Sequence, residues 1–229
     1  MYTDYHSHIL PMMDDGAKNV ETSVEMIKML KDQGVDTIVS TSHFYSHRES
    51  TENFLARRKK SFESLTEAKP AVENIILGAE VAIEMGISEK KGLEKLKIGD
   101  SKYILLELPY APYSDWMAEE ITNIQFAFGF TPIIAHINRY TETYSQSQMN
   151  TILGLSGVVF QINNEAFKSW GSTRFVMNLI KQDYPLIFGS DTHNTDSRRP
   201  NFDVFEKVMK KKLKKNFEGF VEKYCSLLK

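Results

Sequence analysis

Seven short runs of β-branched and apolar residues recur along this chain, each separated from the next by a longer stretch of helical period. That alternation restricts the fold to βα units around a mainly parallel sheet. The runs are Thr3 to His6, Thr37 to Ser42, Ile75 to Val81, Tyr103 to Leu108, Thr131 to Ala135, Val158 to Ile162 and Leu186 to Ser190. Seven units favour a closed barrel over an open sheet. Between them Val20, Val24, Ile27 and Leu30 share one helical face behind Asn19, a suitable cap, and further helices are predicted over Glu52 to Lys69, Ser114 to Phe128, Ser172 to Gln182 and Phe217 to Leu228. No internal repeat or Pro/Gly-rich linker marks a boundary, so residues 1–229 are expected to form one α/β domain.

Charge and composition remove several function classes. A net charge of -2 with 25% charged residues is that of an ordinary globular protein and not of a nucleic-acid coat. Met1 to His6 has neither the basic start nor the apolar run of a secretory signal, and no apolar stretch is long enough to span a membrane, so the expected location is the cytoplasm. The single cysteine, Cys225, is followed only by Ser226, Leu227, Leu228 and Lys229. A Cys-x5-Arg phosphatase loop therefore cannot be built on it.

Metal-ligating residue types stand where the predicted strands stop, which in βα barrels is the edge that carries active sites. His6 and His8 are two apart at the end of the first run, so both imidazoles face one side of an extended chain. Asp14-Asp15-Gly16 follows, and by itself reads better as a turn than as a ligand. His43 ends the second run, while Glu80 and Glu107 interrupt apolar strands, where a carboxylate is expensive unless paired or bound to a cation. Later runs deliver His136 and Arg139, then Asp191 and His193. Of the six histidines only His47 lies outside this series. Imidazole mixed with carboxylate, and no thiolate, suits manganese, iron or zinc. Nine ligands exceed one tetrahedral ion and fit two or three ions sharing a bridging carboxylate.

His6-Ser7-His8, Asp14-Asp15-Gly16, Ser42-His43, Gly78-Ala79-Glu80, Leu106-Glu107, Ala135-His136 with Arg139, and Ser190-Asp191-Thr192-His193-Asn194 together resemble the PHP (polymerase and histidinol phosphatase) family, over Met1 to about Arg198. Within it the motifs are most similar to bacterial manganese-dependent protein-tyrosine phosphatases of capsular and exopolysaccharide synthesis. The resemblance implies a distorted seven-stranded (β/α) TIM-like barrel with three divalent metal ions, manganese first and iron, zinc or magnesium as alternatives. It implies that His6, His8, Glu80 and Asp191 hold one ion, Glu80, Glu107 and His136 a second, and Asp15, His43 and His193 a third, with Asp15 preferred to Asp14. It also implies that Arg139 and Arg198 grip the phosphate, although Arg199 stands beside Arg198 as a rival.

The implied activity is hydrolysis of phosphotyrosine on a partner tyrosine kinase by a metal-bound hydroxide, without nucleic acid and without stable membrane insertion. Three dications against four ligand carboxylates leave a surplus of about two positive charges, suited to a phosphate dianion. Phe44, Tyr45, Tyr110, Tyr113 and Trp116 are candidates to stack on the substrate ring, and His47 could protonate the leaving group. The run Lys210 to Lys215 reads as a solvated helix face, or as a contact for an acidic tail or an anionic surface. The rival functions are a histidinol-phosphate or other small-molecule phosphatase of the same fold and a non-catalytic kinase-binding regulator.

Overall fold

The structure, a computed structural model, describes residues 1–224. Nine strands are present among them: β1 (Tyr2–Ser7), β2 (Val35–Ser40), β3 (His43–Phe44), β4 (Asn74–Leu77), β5 (Glu80–Ala82), β6 (Tyr103–Glu107), β7 (Thr131–Ile134), β8 (Val159–Asn163) and β9 (Leu186–Gly189). Seven helices connect and flank them: α1 (Val20–Asp32), α2 (Thr51–Glu67), α3 (Asp115–Phe128), α4 (Gln146–Leu153), α5 (Trp170–Lys181), α6 (Phe202–Leu213) and α7 (Phe217–Tyr224). Every strand pair is parallel, so the chain must cross back over the sheet between paired neighbours. Cys225 lies outside the described residues.

The expected α/β architecture with parallel strands is present, but the strands do not pair as one unbroken ladder. Hydrogen bonding divides the strands into a sheet of order β1-β2-β4 and another of order β3-β5-β6-β7-β8-β9. Two of the expected strands cause the division, because both break at the same level. The run Thr37 to Ser42 ends its pairing at Ser40 and resumes as β3, while Ile75 to Val81 splits at Gly78 into β4 and β5. The broken segments stay tied by Gly78 N–H donating to Ser40 O at 2.8 Å and Glu80 N–H to Thr41 O at 3.1 Å. A Cβ at Gly78 would stand 3.2 Å from Ile98 Cγ1, a tight contact that the Ile98 side chain would have to relieve. At the other seam β9 lies beside β1, and the two are joined just past the end of β9, through a bridge between Ser7 and Thr192 and Asp191 N–H donating to His6 O at 2.7 Å.

Side-chain alternation sorts the strands into two apolar faces. Tyr5, Val39, Leu105, Ile133, Val159 and Ile187, one each from β1, β2, β6, β7, β8 and β9, form a small interior cluster with Ile98. Their neighbours Ile38, Leu106, Ile134, Phe160 and Phe188 point outward into a larger core under the helices. Asn19 caps α1 as expected, its Oδ1 accepting from Thr22 N at 2.9 Å. Helices α4 and α6 were not foreseen, although Ser145 and Gln148 form a reciprocal capping box and Phe202, Phe205 and Met209 make a buried stripe. Both are short, and both follow loops rich in polar residues that mask the period.

Candidate metal centre

Strand ends and the loops that follow them bring all nine candidate ligands to one end of the fold, with Glu80 at their centre. Its Oε2 lies 3.1 Å from His6 Nε2, 3.2 Å from His8 Nε2 and 3.1 Å from His43 Nδ1, and its Oε1 lies 3.0 Å from His136 Nε2. Asp191 Oδ1 sits 3.5 Å from His6, 3.4 Å from His8 and 3.5 Å from His193. Glu107 approaches His136 at 3.4 Å and His43 at 3.7 Å, while Asp15 approaches His43 at 3.6 Å and His193 at 3.4 Å. Three overlapping groups able to hold a cation result: His6, His8 and Glu80; His8, Asp15, His43 and His193; and His43, Glu80 and Glu107.

Whether a cation suits these residues can be judged from their hydrogen bonding. Buried polar atoms without partners are rare in folded proteins. Here His43 Nδ1, Glu80 Oε2 and His193 Nε2 are buried without a hydrogen bond, and all three face the same cluster. Burial would raise the carboxyl groups of Glu80 and Asp191, yet the charge on His6 first, and on neighbouring His43 or His8 and Arg139 after it, holds both well below the usual carboxylate range. Burial would likewise lower His136, but bonds to Glu107 and Glu80 push it up to about 9. Protons on imidazoles thus balance buried carboxylates, and divalent ions can take their place. For His193 the balance is reversed: burial, then the charge on His8, pushes it down to about 3, which leaves a neutral imidazole. The set fits metal ions.

Backbone conformation aims two of these side chains. His136 and Asp191 both adopt positive φ, 31° and 50°, where residues with a Cβ are uncommon. Each sits just past its strand, where the left-handed turn leaves its side chain among the other candidate ligands. Gly16 serves the same end differently, because a Cβ there would meet His8 O at 2.3 Å. The turn must therefore fold flat against His8.

Between Asp14 and Asp15 the structure separates the roles. Asp15 is two-thirds exposed and reaches His43 and His193. Asp14 is buried behind the ligands, its carboxylate accepting from Gly16 N and His43 N and bonding His8 Nδ1, each at 2.9 Å. Its charge, against the penalty of burial, holds His8 well above the ordinary histidine value. Such outer partners fix imidazole orientation and raise ligand basicity.

Several of these partners escaped sequence reasoning. Gln161 Oε1 accepts from His136 N at 2.7 Å and bonds His6 Nδ1 at 2.9 Å, while its Nε2 donates to Asn163 Oδ1 at 2.9 Å. Asn163 Nδ2 in turn donates to Asp191 Oδ2 at 2.8 Å, and Asn138 Oδ1 accepts from Asn163 N at 2.9 Å. Asp4 accepts from Ser190 N and Ser190 Oγ, at 2.8 Å and 2.6 Å, which pins the end of β9 to β1. The available signal was a row of buried-strand positions occupied by Asp4, Gln161 and Asn163, polar residues within apolar runs.

Above the ligands opens a cleft of about 430 Å³, bordered by Tyr45, Glu84, Tyr110, Arg139 and Arg198 as well as by the ligands themselves. Arg139 bonds Asp191 at 2.7 Å and Glu165 at 2.6 Å, and Arg198 bonds Asp191 at 3.0 Å. Arg199 turns away to Asp203, so of the two neighbours Arg198 is the one in the cleft. Tyr45 stacks on His43 with centroids 5.4 Å apart, and Tyr110 stacks on His136 at 5.9 Å. Phe44 is fully buried in the core and Tyr113 and Trp116 pack against it, so of the five aromatic candidates two line the cleft. His47 stands off the ligand groups, exposed, with its Nδ1 2.5 Å from Glu84 Oε1.

Known proteins share both this sequence and this architecture. The chain is 33% identical to the tyrosine-protein phosphatase CpsB of Streptococcus pneumoniae, over 96% of its own length and 95% of the relative's. It is 27% identical to the tyrosine-protein phosphatase YwqE of Bacillus subtilis strain 168, over 89% and 81%. A crystal structure from a study of YwqE from B. subtilis and CpsB from S. pneumoniae, described as unique metal-dependent tyrosine phosphatases, superimposes with a TM-score of 0.76 at 23% identity, covering 97% of this chain and 95% of that one. The lactonase Lmo2620 of Listeria monocytogenes shares the fold more distantly, with a TM-score of 0.56 at 12% identity. The family model for capsular polysaccharide synthesis proteins of the CpsB/CapC type matches residues 2–222, and the chain belongs to that family.

Proposed function

We propose that this protein is a metal-dependent protein-tyrosine phosphatase that hydrolyses phosphotyrosine on a partner tyrosine kinase of capsular or exopolysaccharide synthesis, in the cytoplasm. The observation that carries the reading is the meeting of buried ligand atoms on Glu80, His43 and His193, held at ion-pair distance but without a hydrogen bond, beneath a cleft bordered by two arginines. His6, His8, Asp15, His43, Glu80, Glu107, His136, Asp191 and His193 would hold the metals, as three ions with manganese preferred. The relatives carry the name tyrosine-protein phosphatase, which supports the substrate class. Among the described residues no helix is long and apolar enough to cross a membrane. We read the two sheets as halves of one distorted seven-stranded (β/α) barrel and residues 1–229 as a single phosphoesterase domain. Convergence of most strands on one interior cluster supports that.

Bound divalent ions would supply Lewis-acid stabilisation of the phosphoryl group and an acidified water. The remaining work falls to the chain. Arg139 and Arg198 offer planar forks that match phosphoryl oxygens, and their existing bonds to Asp191 and Glu165 hold the guanidinium groups at the cleft wall. Tyr45 and Tyr110 border the same cleft and present ring faces to an aryl substrate. A phenolate is a fairly good leaving group, so no side chain need donate a proton to it. Among the described residues the cleft stands open to solvent, which favours a side chain projecting from a protein over a small enclosed phosphate ester.

The deciding experiment compares initial rates of protein with measured metal content on phosphotyrosyl peptides, phosphoseryl peptides and histidinol phosphate. Phosphotyrosyl peptides should exceed histidinol phosphate in kcat/KM by at least about tenfold, or roughly 1.4 kcal/mol of differential transition-state binding. Parity would remove the tyrosine-phosphatase assignment and leave a phosphoesterase.

A further inference from the structure

A second depression, also of about 430 Å³, adjoins the metal cleft and shares Tyr110 and Arg139 with it. It is lined further by Glu142, Glu165 and Lys168 and reaches Ser169, the N-cap of α5, and Ser172. The next residue, Trp170, is 75% exposed and opens a third depression of about 350 Å³ between α5 and the end of α6. Arg174, Lys181 and Lys212 line that groove, and all three are exposed. Helix α5 contains no carboxylate at all. Among the described residues Lys210 is neutralised by Glu206 at 2.5 Å, whereas no salt bridge joins Arg174, Lys181 or Lys212 to an acidic side chain. The Arg174 guanidinium instead lies over the Trp170 ring, 5.5 Å from its centroid.

From this arrangement we infer that the α5/α6 groove is a docking site for an acidic segment of the polypeptide substrate, continuous with the cleft that takes its phosphotyrosine. Glu142 and Glu165 border the second depression, so the stretch of substrate that crosses it is the uncharged spacer between phosphotyrosine and acidic segment. The inference rests on the phosphatase reading above and adds to it a charge requirement at a distance from the reacting group. Unpaired cations along a concave track attract a polyanionic strand, and the stacked Trp170 and Arg174 give it a flat wall to lie on. Helix α5 has 12 residues and is about 18 Å long, so an extended chain follows it with about five or six residues. A membrane surface fits less well. Interfacial binding needs an apolar helix face turned outward, but Val176 and Leu179 of α5 are buried and Trp170 is the helix's one large exposed hydrophobic residue.

The test uses the metal-loaded enzyme and matched phosphotyrosyl peptides that differ only in a block of five acidic residues or five serines, placed about six residues to either side of the phosphotyrosine. In the parent protein the acidic block, on one side, should raise kcat/KM by at least about tenfold, and about 0.5 M salt should erase the gain. The combined variant Arg174→Glu, Lys181→Glu, Lys212→Glu should lose the gain while hydrolysing p-nitrophenyl phosphate within about twofold of the parent rate, which also reports that it is folded. Equal rates for acidic and serine peptides on both sides, or a gain that survives charge reversal, would overturn the inference. So would a variant that keeps the peptide preference but no longer sediments with phosphatidylglycerol vesicles, since the groove would then be a membrane contact. Fluorescence anisotropy with the unphosphorylated acidic peptide separates this inference from its parent. Absence of turnover on every phosphotyrosyl compound removes the phosphatase reading alone, whereas binding unchanged by charge reversal removes the docking site.

Discussion

Replacing Gln161 by methionine keeps the length of a fully buried side chain and removes the one acceptor that joins two elements of the metal centre. In the parent structure Gln161 Oε1 serves His136 N at 2.7 Å and His6 Nδ1 at 2.9 Å, and the donors sit where almost no solvent reaches, His6 at 0% and His136 at 1% exposure. Each buried donor left without an acceptor costs about 1–3 kcal/mol, so with two such donors the metal-free protein should lose about 2–6 kcal/mol. A second effect is separate from the first. His6 loses the bond that sets its ring orientation, and His136 loses a restraint on its positive-φ backbone. Loss of an outer partner of this kind typically lowers metal affinity or activity by about 10–100-fold. Urea unfolding of metal-free protein reads the first effect, and manganese titration with turnover on p-nitrophenyl phosphate reads the second. The reasoning is refuted if Gln161→Met binds manganese and turns over within about twofold of the parent, because the bond would then orient nothing that the chemistry needs.

Removing metal with a chelator should abolish phosphatase activity and manganese should restore it best; full activity in protein shown by elemental analysis to be metal-free would exclude the proposed chemistry. Arg198→Ala should raise KM and lower kcat on phosphotyrosyl peptide with metal content intact, while Arg199→Ala, which loses only exposed contacts such as Asp203, should change either constant by less than about twofold. Equal effects of the two substitutions would reverse the assignment. Truncating both Tyr45 and Tyr110 to alanine should narrow the preference for phosphotyrosyl over phosphoseryl peptides by about tenfold, since each ring contact is worth roughly 0.5–1.5 kcal/mol; an unchanged ratio would show that the rings do not meet the substrate.

Much of this protein is written in local pattern. Alternating apolar runs place β1, β6, β7, β8 and β9 within about two residues, because a strand buried on both faces has no choice but to be apolar throughout. The same property exposes the site, since a carboxylate such as Glu80 inside such a strand is costly without a positive partner, and the motif order supplies the other candidate ligands that gather around it. What tertiary structure alone decided are features that depend on two distant segments moving together. The break at Gly78 follows from Ile98 packing over it and from the matched break after Ser40, and neither segment carries a strong stop signal of its own. Arg198 rather than Arg199 enters the cleft because Asp191, seven residues away, lies within reach of only one of them. Asp14 and Asp15 are adjacent in sequence and alike in chemistry, yet one faces His8 from behind and the other faces His43 and His193 from the open side. Sequence specifies which groups are available. Which of two neighbours meets the metal centre is a matter of direction, and direction is set by the packing of segments up to 186 residues apart, such as Asp4 against Ser190.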